Sequence, residues 1–94
     1  MSCAIVITDV AEQDLHRLID SLPASRRRDA LEAVDEATQR LAANPRLAQQ
    51  LYLDRRALHF GFRAAGVDYH WGAAGVISED EASVVITHFF RVPL

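Results

Sequence analysis

The sequence predicts an α+β fold in which two helices cover one face of an antiparallel sheet. Three observations carry that reading. Residues 56–92 contain six of the seven aromatic residues and three of the four histidines, arranged as strands. Two stretches before them are apolar at helical period. A short apolar run at the N-terminus reads as one more strand. The C-terminal stretch is the organising piece. Folded as a hairpin about Ala65-Gly66, it sets Phe60 across from Trp71 and Phe62 across from Tyr69. Side chains alternate along a strand and opposed residues point the same way, so the four rings share one face. The other face carries His59, Gly61, Arg63, Asp68, His70 and Gly72, with Arg63 opposite Asp68. One apolar and one polar face are expected of an antiparallel sheet covered on a single side.

In chain order, residues 2–8 come first. Cys3, Ile5 and Ile7 alternate with Ala4 and Val6, so the run is apolar on both faces and predicts a well-buried strand. A helix follows, with Asp9 as N-cap and Glu12 at the capping-box spacing. Asp14 adds negative charge near its start, where the helix dipole favours it. Leu15, Leu18, Ile19 and Leu22 form its apolar stripe. Leu22-Pro23 ends it, because the residue before proline disfavours the α region. Ser21 or Ser25 is placed to cap a second helix with the stripe Ala30, Val34, Ala37 and Leu41, which Asn44-Pro45 stops. The pair makes an αα-hairpin. Residues 46–55 fit neither period and read as a connector that tucks Leu47, Leu51, Tyr52 and Leu53 under the helices. Three strands, 56–64, 67–77 and 82–92, then form a meander with an acidic loop at Ser78, Glu79, Asp80 and Glu81. Gly72 and Gly75 predict a bulge or bend in the middle strand.

Composition sets the limits. Ninety-four residues, half of them hydrophobic and 24% charged, suit one soluble domain over residues 1–94. No apolar run nears the roughly 20 residues of a membrane span. The N-terminus lacks the basic and apolar regions of a signal peptide, and a single cysteine, Cys3, fits a reducing cytoplasm. No His or Cys pair has ligand spacing, so neither a metal nor another cofactor is expected. The net charge is −3 and all ten basic residues are arginine. That balance gives no global basic field of the kind nucleic-acid binders show. The densest basic run, Arg26 to Arg28, is followed at once by Asp29, Glu32, Asp35 and Glu36 and reads as a solvated mixed-charge face.

The order of elements and a set of spaced residues point to a family. Ala11, Asp14, Leu15 and Leu18-Ile19 lie on the first helix. Leu41, Asn44 and Pro45 end the second. Leu58 follows on the next strand, and His88 with Arg91 closes the last. In these features nearly the whole chain resembles the RelE/ParE superfamily of toxins from bacterial type II toxin–antitoxin modules. The resemblance implies a cytoplasmic toxin held inactive by a cognate antitoxin whose C-terminal segment folds across it. It also implies one of two targets: mRNA on the ribosome, cleaved without a metal, or DNA gyrase, inhibited by contact. The homodimer and the hetero-oligomer with antitoxin both stay open.

Metal-free RNA cleavage needs a base for the 2′-hydroxyl, cations on the scissile phosphate and an acid for the leaving oxygen. The catalytic candidates for that reading are His59, Arg63, His88 and Arg91. Three departures weigh against it. Asp68 falls where the family pattern has an arginine, His59 stands where a second-strand arginine would follow leucine, and no C-terminal segment with a tyrosine follows Pro93-Leu94. The plainer reading makes His59 and His70 solvated or cross-strand groups and Arg63–Asp68 a surface ion pair. The preferred expectation is a non-nuclease, ParE-like toxin acting by protein–protein contact. The alternatives are the ribosome-dependent endoribonuclease and a non-toxic binding or regulatory module.

Overall fold

The computed structural model describes residues 3–52, 54–78, 80 and 82–93, with only the backbone of Tyr52. Leu53 and the loop residues Glu79 and Glu81, singled out above, lie outside the described residues, as do Ser2 and Leu94. The elements are β1 (Ala4–Ile7), α1 (Asp9–Asp20), α2 (Ala24–Ala43), a 3-10 turn (Pro45–Leu47), β2 (Gln49–Tyr52), β3 (Arg55–Ala64), β4 (Val67–Ile77) and β5 (Ser83–Arg91). One five-stranded sheet has the order β1-β5-β4-β3-β2. The α+β architecture with both helices over the sheet is the expected one.

The β3–β4 hairpin has the predicted register. Phe60 pairs with Trp71, Phe62 with Tyr69 and Arg63 with Asp68. Its turn residues Ala65 (φ 50°) and Gly66 (φ 79°) both have positive φ, the backbone a two-residue hairpin turn requires. Glycine adopts it freely, whereas Ala65 does so at a cost of about 1 kcal/mol. Trp71 is fully buried and Phe60 nearly so, while Phe62 and Tyr69 are half-buried at the margin of the core. The Phe62 ring stacks on Tyr69 and meets Trp71 edge-on, with centroids 5.1 and 4.9 Å apart. Helix α2 covers this face with the predicted Ala30, Val34, Ala37 and Leu41, all buried. Small side chains at two of those positions let the helix approach closely. Helix α1 contributes Ala11 and the partly buried Leu15, Leu18 and Ile19.

Four details differ from the sequence reading. Thr8, rather than Asp9, caps α1: its Oγ1 accepts from the Ala11 N–H at 3.2 Å, and Asp9 becomes a first-turn acid. Helix α2 begins after Pro23 with no side-chain cap, so neither Ser21 nor Ser25 serves there. Ser21 Oγ instead donates to the Leu18 carbonyl at 2.6 Å, satisfying the end of α1. β1 is an outer strand, pairing in parallel with β5 on one side only, and leaves Val6 and Ile7 exposed where burial was expected. Part of the irregular connector is β2, which adds to β3 through Gln49–Ala57 and Gln50–Arg56 pairs, and Leu47 and Leu51 are exposed rather than tucked under the helices.

The expected irregularity beside the glycines is a register shift between β4 and β5. Ala74 pairs with His88 and Gly75 with Ile86, leaving Thr87 as the extra residue. Thr87 Oγ1 donates to the Ala74 carbonyl at 3.3 Å, and its own carbonyl accepts from Thr8 Oγ1 at 3.5 Å. The capping residue of α1 thus fastens onto the bulge. The extra residue also shifts the alternation of β5, which decides where its last side chains point.

Candidate functional site

The bulge settles which faces His88 and Arg91 occupy. Arg91 pairs with Trp71 and so belongs to the helix-covered side, where its Nη2 donates to Ser21 Oγ at 3.3 Å. His88 and Phe90 pair with Ala74 and Gly72 on the open side. The four candidate residues therefore do not form one cluster. His59, Arg63 and His88 share the open face, and Arg91 does not. His70, paired with Gly61, also lies on the open face and covers that glycine.

Each open-face group already has a local partner. The His59 ring meets Phe90 edge-on with centroids 5.8 Å apart, and Phe90 lies over Gly72, where any Cβ would collide with its ring. Arg63 bonds to the Asp68 carboxylate and to the Gly66 carbonyl, both at 3.3 Å. His88 Nδ1 lies 3.1 Å from the Asp14 carboxylate of α1. Asp14 was read only as a charge near the helix start. Its i+4 relation to the stripe residue Leu18 sets it next to the apolar face, and that placement was the available signal. Among the described residues, no group of three His, Cys, Asp or Glu side chains is placed to hold a metal ion.

A second polar cluster sits where the turn between the helices meets the start of β4 and the end of β5. A cleft of about 470 Å³ is lined there by Ser21, Arg26, Tyr69, Trp71 and Arg91, among others. Arg26 Nη1 donates to the Tyr69 hydroxyl at 2.7 Å. The reading of Arg26 to Arg28 as one solvated face holds for Arg28 alone, which pairs with Glu32 at 3.3 Å on the surface. Arg27 turns back to the carbonyls of Leu22 and Asp20. Those carbonyls lie at and just past the end of α1, where the helix leaves acceptors unpaired and a cation is favoured. Arg26 escaped the sequence reading because its partner lies 43 residues away and is tied to it only by the fold.

The comparisons with known proteins agree with this architecture. The model of the ParE toxin of the type II toxin–antitoxin system parDE matches residues 5–91. The chain belongs to that family. No curated protein matches it in sequence. Among solved structures, the toxin–antitoxin complex RelBE2 from Mycobacterium tuberculosis contains a similar chain. It is 20% identical with a TM-score of 0.71, over 98% of this chain and all of that one. A mutant of the E. coli toxin RelE in the free state is 11% identical with a TM-score of 0.64, over 97% and 84% of the two chains. The intact E. coli RelBE complex gives 10% identity and a TM-score of 0.61, over 99% and 100%. At these identities the ParE family member shares their fold, and the family match alone carries the toxin assignment.

Proposed function

We propose that this chain is a ParE-like toxin acting by protein–protein contact, with DNA gyrase as its target class, neutralised by a cognate antitoxin in the cytoplasm. It works as one domain over residues 1–94. The observation that carries the reading is the engagement of the open face. A metal-free nuclease needs cations free to meet a phosphate and a base free to take a proton. Here Arg63 faces Asp68, whose charge repels phosphate, and His88 faces Asp14. Arg91 points to the opposite side of the sheet. The formal charge of −3 supplies no compensating field.

Surfaces suited to a protein partner support the same reading. β1 and β2 are the outer strands, and outer strands with unpaired backbone groups accept an added strand. Around β1, Val6, Ile7 and Val10 are exposed together, an apolar margin such a segment would cover. One observation favours the endoribonuclease reading: His59, His70 and His88 lie on one face with Arg63, so two of the three could exchange protons there.

Inducing the chain alone in a bacterial host, with mRNA sequenced from the same culture, separates the two. The expected outcome is growth arrest with intact mRNA and inhibited DNA supercoiling. New mRNA cuts that vanish in His59→Ala and His88→Ala would overturn the contact reading. Normal growth with folded protein would leave only a binding module.

A further inference from the structure

The corner cleft contains donors without acceptors. Arg26 Nε and Trp71 Nε1 are buried, and neither meets a hydrogen-bond partner among the described residues. Both residues are among those that line the same cleft. A buried donor left unmade is costly enough that native proteins seldom keep one, and two beside one opening point to a missing acceptor. Two cations stand there too. Arg26 spends one nitrogen on the neutral Tyr69 hydroxyl, and Arg91 spends one on the neutral Ser21 hydroxyl. Among the described residues no carboxylate pairs with either guanidinium. The site therefore offers an indole N–H, a guanidinium N–H and a second guanidinium at its rim, all donors.

We infer that this corner is a carboxylate-binding pocket that receives an Asp or Glu side chain from a protein partner. A carboxylate presents two coplanar acceptor oxygens and a single charge, which suit two N–H donors beside a second cation. Phosphate fits less well, because its four oxygens outnumber the two unpaired buried N–H donors. The partner as the source of the carboxylate rests on the protein-contact reading above. Binding of a free carboxylate does not, so the two can fail separately.

Trp71 is the only tryptophan, so its indole N–H gives a single, unambiguous resonance in the ¹⁵N-labelled chain. Acetate, inorganic phosphate and two blocked peptides, Ala-Glu-Ala and Ala-Gln-Ala, are titrated separately at fixed ionic strength set with sodium chloride. The expected result is a saturable shift of the indole and the Arg26 Nε resonances with acetate, weaker with phosphate. Arg91→Gln should bind acetate about tenfold more weakly, the scale of one charge-assisted hydrogen bond. Arg28→Gln, altered on the exposed surface, should bind as the parent does. The Glu peptide should displace acetate and the Gln peptide should not. No saturable shift, or equal binding by Arg91→Gln, overturns the pocket. Tighter binding of phosphate overturns the carboxylate assignment, and equal behaviour of the two peptides overturns the partner side chain.

Discussion

On the covered face of the β3–β4 hairpin, Leu58, Phe60 and Trp71 are held by the packed helices as well as by their own strands. On the open face, His59, Arg63 and His88 each rest on one or two neighbours. The same two strands thus serve two different ends. One face secures the fold through many shared contacts, and the other displays groups whose state depends on one or two partners. Substitution should separate the faces by size of effect. Trp71→Ala should cost most, about 3–5 kcal/mol, through lost burial and the cavity left behind. Chemical denaturation checks it. A loss under about 1 kcal/mol would mean that the ring is not the centre of the core.

The junction of the faces comes next. At Gly75 an added Cβ would press on the backbone carbonyl of Val85 in β5, which cannot swing aside. Gly75→Ala should therefore destabilise by about 1–3 kcal/mol, the usual cost of overpacking. At Gly72 the obstacle is the half-buried Phe90 ring, which can rotate away, so Gly72→Ala should cost less. Thermal denaturation of both variants orders them. Equal costs would show that Phe90 is fixed as rigidly as the backbone, which would raise the open face to the standing of the covered one.

This contrast also explains what was legible in the sequence. The ring register was readable because alternation and a two-residue turn fix it locally, and the α2 stripe was readable because its period is strict. The cap of α1 was missed by one position, since Thr8 and Asp9 can both cap and the choice falls to the bulge at Thr87. β2 was missed because a four-residue strand with a register shift has almost no period to show. The faces of His88 and Arg91 could not be read while residues 84–90 were apolar at nearly every position and the extra residue was unseen. Of the site, Arg63–Asp68 was visible as a directly opposed pair. Arg26–Tyr69 and Asp14–His88 were not, because 43 and 74 residues separate them and no local rule joins them.

The smallest expected effect concerns Arg63 and Asp68, and it bears most directly on function. Their side chains are 67% and 64% exposed, so the 3.3 Å pair lies in water and is screened by salt. A double-mutant cycle with Arg63→Ala and Asp68→Ala should return a coupling of only a few tenths of a kcal/mol. Stability is then nearly indifferent to Asp68, and its role must be sought in the charge it gives the open face. Removing that carboxylate leaves Arg63 with the Gly66 carbonyl as its partner, at negligible structural cost. If Asp68→Ala acquired mRNA cleavage on induction, Asp68 alone would separate the contact toxin from a nuclease. If it stayed without cleavage and still arrested growth, the other open-face partners, Phe90 on His59 and Asp14 on His88, would carry the same restraint. A coupling above about 1 kcal/mol would instead place the pair among the structural contacts and break the distinction between the faces.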